Sequence, residues 1–137
     1  MLTKDEVFMK CAISEAKKAG TLEEVPVGAL IVQEGKVISK GHNLRETTQN
    51  ALAHAELIVI NSACSKLGSW RLLGCTLYVT LEPCSMCVGA AINARIDEIV
   101  FGCPSPLAHR LHHDNIKGHI LERECSFLLS DFFAKRR

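Results

Sequence analysis

The chain has 137 residues, of which 47% are hydrophobic and 23% charged, with a formal net charge of +1. That length supplies one hydrophobic core and not two, so a single domain over residues 1–137 is expected. The near-neutral balance does not by itself suggest a nucleic-acid binder, and no apolar run approaches the roughly 18 residues of a membrane span. Charges also interrupt the first twenty residues, where a signal peptide would be apolar, so a soluble, cytoplasmic protein with no membrane partner is expected.

Thr3 to Glu6, "TKDE", has the form of a capping box, and Val7, Phe8, Cys11, Ala12 and Ala16 then recur at helical spacing until Gly20. "VGALIV" at Val27 to Val32 reads as a strand, and "QEGK" turns it into "VISKGHN" as a β-hairpin. The polar stretch "LRETTQNAL" predicts a loop, followed by a helix over "AHAELIVINSAC". Gly68 and Gly74 bracket a loop with the only tryptophan, Trp70. "CTLYVTL", Cys75 to Leu81, is rich in β-branched and aromatic residues and predicts a third strand. Pro83 is placed in the first turn of the next helix, whose first N–H needs no internal partner; "SMCVGAAINA" continues it. "DEIVFG" predicts a fourth strand. The last helix, "LERECSFLLSDFFAKRR", places Leu121, Cys125, Leu128, Leu129 and Phe132 on one face and ends in a basic tail expected to be solvated. This order predicts an α/β fold, a central mixed sheet with helices on both faces.

The seven cysteines are odd in number and irregularly spaced apart from Cys84 and Cys87, which does not fit an extracellular disulfide framework. Cys11, Cys64, Cys75, Cys103 and Cys125 are therefore expected as reduced, buried, small apolar side chains. Cys84-x-x-Cys87 at a helix start is by itself ambiguous. The helix dipole favours thiolate there, which suits a redox dithiol, half of a structural zinc knot or a catalytic metal site.

His54 and Glu56, in "AHAEL", narrow the choice. A lone histidine at a helix start is most often structural, and Glu56 would ordinarily be a first-turn carboxylate. Two consecutive strand-to-helix junctions, however, would aim His54, Cys84 and Cys87 from helix N-termini toward one place beyond the strand ends. One imidazole and two thiolates suit Zn²⁺ and leave a fourth position for water, which zinc activates near neutral pH. Glu56, two residues after His54, is placed to move protons instead of ligating. The ordered set H-x-E … P-C-x-x-C, here His54-Ala55-Glu56 and Pro83-Cys84-Ser85-Met86-Cys87, is the zinc-deaminase signature.

With "EVPVGALIV" at Glu24 to Val32, "GHN" at Gly41 to Asn43, "AHAE", and "SWRLLGCTLYVTLEPCSMCVGAAINARIDEIVFG" at Ser69 to Gly102, the chain resembles the bacterial tRNA-specific adenosine deaminases of the cytidine deaminase superfamily. The resemblance implies a three-layer α/β/α cytidine-deaminase-like fold. It implies hydrolytic conversion of adenosine to inosine at the wobble position of a tRNA anticodon loop, with His54, Cys84 and Cys87 on zinc and Glu56 as proton shuttle. It further implies that Asn43 hydrogen-bonds the flipped nucleotide, that Val27, the Ala55 backbone and Pro83 line the base site, and that the protein is a homodimer.

"CPSPLAHRLHHDNIKGHI", residues 103–120, departs from the family pattern: it is shorter, without the usual Lys- and Gly-containing loop and without a recognisable final strand. His109, His112, His113 and His119 fall here at spacings that match no common metal site, and a polar surface loop is expected. Two other readings stand beside the resemblance: a superfamily deaminase of free nucleobases, nucleosides or pterin-like molecules, and a catalytically silent RNA-binding subunit with structural zinc. The intact Glu56 argues against the second, since a structural zinc site has no use for that base.

Overall fold

Thr3 starts helix α1 (Lys4–Thr21) through the reciprocal bonds of the predicted capping box: Glu6 N donates to Thr3 Oγ1 at 3.1 Å and Thr3 N to Glu6 Oε1 at 2.9 Å. The computed structural model describes residues 1–106 and 111–136. The hairpin β1 (Gly28–Gln33) and β2 (Lys36–His42) turns at Glu34 and Gly35, with φ of 51° and 76°. Two consecutive left-handed residues give the tight turn whose twist matches that of the strands, and Gly35 adopts it without a Cβ clash.

A short helix α2 (Arg45–Thr48) follows, so "LRETTQNAL" is not loop throughout; its turn is fixed by a distant carboxylate, described below. Then come α3 (Ala55–Leu67), β3 (Cys75–Leu81), α4 (Ser85–Asn93), β4 (Glu98–Cys103), β5 (Ile116–Lys117) and α5 (Glu122–Ala134). Cys84 is the N-cap of α4. Pro83 therefore stands just ahead of the helix and not in its first turn, where its restricted backbone fixes the approach of Cys84.

The strands form one mixed sheet in the order β2-β1-β3-β4-β5, with β1 antiparallel to both neighbours and β3, β4 and β5 mutually parallel. β5 corrects the expectation that the 103–120 segment carries no final strand. Only two residues long, it pairs Ile99 with Ile116 and Val100 with Lys117. A strand that short leaves no alternating pattern to read.

Strand alternation sends side chains into two separate cores. Ala29, Ile31, Leu77, Val79, Ile99 and Phe101 face α3 and α4 through Val59, Ala63, Val88 and Ala91. Leu30, Val32, Tyr78 and Val100 face α1 and α5 through Met9, Ala12, Ile13 and Cys125. The result is the expected α/β/α sandwich. Gly28 makes the α1 contact possible, since a Cβ there would lie 2.0 Å from the Ala12 carbonyl oxygen. Cys75, Cys103 and Cys125 are buried as expected, but Cys64 is only half-buried and Cys11 lies on the solvent face of α1. Residues 134–136 of the C-terminal tail are solvent-exposed as expected, and Arg136 there pairs with Glu23 at 2.6 Å and lies over the Phe132 ring at 3.5 Å. No helix among the described residues is long and apolar enough to cross a membrane.

Candidate metal centre and substrate cavity

β2 and β3 run in the same direction with β1 between them, so both end on the same side of the sheet, where α3, reached from β2 through α2, and α4 start near each other. His54 is the N-cap of α3 and Cys84 the N-cap of α4, and neither spends its side chain on capping. Both side chains point instead at a common space. Cys84 Sγ lies 3.8 Å from His54 Nδ1, Cys87 Sγ lies 3.5 Å from the same nitrogen, and the two sulfurs are 3.7 Å apart. A tetrahedral zinc with ordinary bond lengths requires edges of about 3.8 Å between sulfurs and about 3.6 Å from sulfur to nitrogen. The triangle fits one face of that tetrahedron.

Electrostatics agree with the geometry. Burial pushes the Cys87 thiol far above its ordinary value, and the Glu56 carboxylate and Cys84 push it further. Such a sulfur ionises only with a cation beside it. Burial, with a smaller effect from the Arg45 charge, lowers the basicity of His54, which keeps its imidazole neutral and its lone pair available. Among the described residues, His54, Cys84 and Cys87 are the set of three or more ligating side chains close enough together to hold a metal ion.

Glu56 occupies the first turn of α3 and is 4% exposed. Burial raises its carboxyl pKa against the opposing effects of its own backbone amide and the Cys87 thiol. It lines a cavity of about 230 Å³ together with Val27, Asn43, His54, Ala55 and Cys84. This is below the roughly 300–1,000 Å³ of drug-sized ligand pockets and suits a flat ring more than a whole nucleotide. Asn43 is buried, with Oδ1 accepting from Arg45 N at 3.2 Å and Nδ2 donating to Val25 O at 3.3 Å. One amide hydrogen and one lone pair remain for a ligand. Pro83 is buried but does not reach the cavity wall. Its effect on the site runs through the backbone of Cys84.

Sequence reasoning did not single out Arg45, Glu82 and Ser105, which also line the cavity, or Glu24, which binds the amides of the turn that carries Arg45. Ser105 N donates to Glu82 Oε1 at 3.0 Å, tying the segment after β4 to the end of β3. Glu24 is 1% exposed and accepts from Glu46 N at 3.2 Å and Thr47 N at 2.6 Å. Burial raises its pKa, but these bonds, with a smaller contribution from His42, outweigh the penalty and leave it below the ordinary carboxyl value. The available signal was slight, since Glu24 is the second of two adjacent glutamates ahead of β1 and nothing in the sequence separates it from the exposed Glu23.

Among the described residues, the histidines of the 103–120 segment do not gather. His109 lies outside the described residues. His112 pairs with Asp114 at 3.0 Å and His119 with Glu122, both on the surface. His113 is buried, against the surface expectation, because its Nε2 meets Ile96 O at 3.1 Å and its Nδ1 accepts from Asn115 N at 3.0 Å.

Residues 2–103 match the cytidine and deoxycytidylate deaminase zinc-binding region, and this family with the His-Cys-Cys set makes zinc the cofactor of the chain. The tRNA-specific adenosine deaminase of Bacillus subtilis strain 168 is 48% identical over 149 residues, covering 99% of this chain and 92% of the relative. The corresponding Aquifex aeolicus protein is 43% identical over 148 residues, covering 96% of this chain and 95% of the relative. Both alignments are longer than this chain, so these relatives carry residues that it lacks. A solved structure from work on A-to-I editing by tRNA:A34 deaminases at the wobble position superposes with a TM-score of 0.84 at 37% identity, covering 89% of this chain and 98% of that one. A Nitrosomonas europaea guanine deaminase superposes with a TM-score of 0.85 at 20% identity, covering 94% of this chain and 84% of that one, which speaks for the fold alone. The chain belongs to the tRNA-specific adenosine deaminases, within the zinc-binding cytidine and deoxycytidylate deaminase family.

Proposed function

We propose that this chain is a zinc-dependent hydrolase that converts adenosine to inosine at the wobble position of a tRNA anticodon. The observation that carries this reading is the three-donor triangle with buried Glu56 beside it, on the wall of a cavity the size of a base. His54 Nδ1, Cys84 Sγ and Cys87 Sγ would hold the metal. Zinc there supplies Lewis-acid activation of water near neutral pH. Glu56 would accept a proton from the attacking water and deliver it to N1 of adenine, then carry the proton of the added hydroxyl from C6 to the departing amino group. Adenosine and water become inosine and ammonia.

Val27 packs on the base, Asn43 hydrogen-bonds the nucleotide, and the Ala55 backbone orients the ring. The target adenosine has to leave its stack to enter, which costs least in a single-stranded loop. One domain over 1–137 performs the whole reaction in the cytoplasm. The active form is a homodimer, a reading supported by exposed apolar side chains along α4: Met86, Ile92, and Leu111, which packs over Gly89. The functional test is incubation with an anticodon stem-loop bearing a wobble adenosine, in parallel with free adenine, guanine, cytosine and their nucleosides. Inosine in the RNA is expected. Turnover of free bases or nucleosides alone would refute the reading.

A further inference from the structure

Arg45 stands at the rim of the cavity, solvent-exposed, at the start of α2. Among the described residues no side chain pairs with or hydrogen-bonds its guanidinium, while its backbone is fixed from several directions. Arg45 N donates to Asn43 Oδ1 at 3.2 Å, and Leu44 N to Ala53 O at 3.0 Å closes the base of the loop. Glu24, from the segment before β1, accepts the next two amides, Glu46 N and Thr47 N. A carboxylate 1% exposed is costly to bury unless its bonds are complete, and here all the bonding is to the turn that carries Arg45.

Glu24 thus holds the backbone of the turn on which Arg45 stands. The cavity holds a base, so a strand feeding that base must pass its sugar and phosphates over the rim where this cation is held. We propose that Arg45 contacts a backbone phosphate of the entering RNA strand, and that Glu24 is a positioning residue which acts through α2 to keep it there. The inference rests on the RNA substrate proposed above.

The test is steady-state kinetics on the anticodon stem-loop across a salt series, with zinc content and melting temperature recorded for every variant. Arg45→Ala is expected to raise KM about tenfold with kcat changed by less than about twofold, and to flatten the slope of log kcat/KM against log salt by roughly 0.7, the loss of one single-strand phosphate contact. Arg45→Lys, which keeps the charge, is expected to restore most of that slope. Glu24→Gln replaces one of two acceptor oxygens with a donor, and is expected to raise KM several-fold in the native background but by less than about twofold on top of Arg45→Ala. An unchanged KM and salt slope in Arg45→Ala would overturn the phosphate contact. An equal Glu24→Gln effect in both backgrounds would overturn the positioning role. If Glu24→Gln does not fold, the two Arg45 variants decide the phosphate contact alone. Native protein that deaminates free bases but not the stem-loop would refute the function itself, an outcome separable from the other two.

Discussion

In the proposed mechanism His54, Cys84 and Cys87 hold the metal and Glu56 moves protons. The two N-caps, His54 and Cys84, leave their helix amides uncapped and face a shared space. An N-cap side chain is normally worth about 1 kcal/mol to its helix, so stability is forgone at both starts in favour of the site. Glu56, beside them, is not needed to complete the triangle. Glu56→Gln is therefore expected to retain one zinc per chain and the native melting temperature while kcat falls at least about a hundredfold, the loss typical of a removed general acid–base. Metal analysis with steady-state assay checks this. Cys87→Ser is expected to lose zinc, because the buried triangle then lacks one of its two thiolates, and elemental analysis after dialysis reads that directly.

At the scale of elements, β5 is too short to hold itself on the sheet, and a charged network replaces the missing ladder. Asp5 of α1 accepts from Tyr78 Oη at 2.6 Å and pairs with Lys117 of β5 at 2.8 Å, while Lys117 also reaches Glu98 at 3.4 Å. Burial opposes ionisation of Asp5, but the bonds from Lys117 and Tyr78 win and hold its pKa below the unfolded value of 3.8. Asp5→Asn keeps an acceptor for Tyr78 but loses the charge, and should cost about 1–2 kcal/mol in urea unfolding. The pH sign follows from linkage. Asp5 and Glu24, both lowered in the fold, contribute their full stability above their unfolded values of 3.8 and 4.5 and lose it as pH falls through the lower folded values. Stability of the native protein should therefore drop steeply below about pH 4.5, and less steeply in Asp5→Asn. Equal slopes would remove Asp5 from the account.

These same elements mark what the sequence could and could not disclose. Capping box, hairpin and the strand Cys75–Leu81 were legible because each rests on local chemistry within a few residues. β5 and α2 were not, since both depend on partners far along the chain: Ile99 and Val100 for one, Glu24 for the other. The burial of His113 escaped for the same reason, its partner being Ile96 O.

At the scale of the whole molecule, topology does the assembly. The hairpin brings β2 round to run alongside β3, one strand away, and both deliver helix N-termini to the same end of the sheet. The metal set was legible because two short motifs each stood at a predicted strand-to-helix junction. Arg45, Glu82 and Ser105 were not, because only the folded loops bring them to the cavity wall. The exposed apolar line along α4 predicts self-association, and sedimentation equilibrium should find a dimer at micromolar concentration. A monomer there would refute the homodimer reading.

The most direct measurement strips the metal with a chelator, returns zinc in steps, and quantifies wobble inosine in the anticodon stem-loop after nuclease digestion. Inosine should be absent from the stripped protein and return in proportion to zinc, reaching a plateau at one ion per chain. Full inosine formation without metal, or zinc-restored protein that leaves the wobble adenosine intact, would contradict the account.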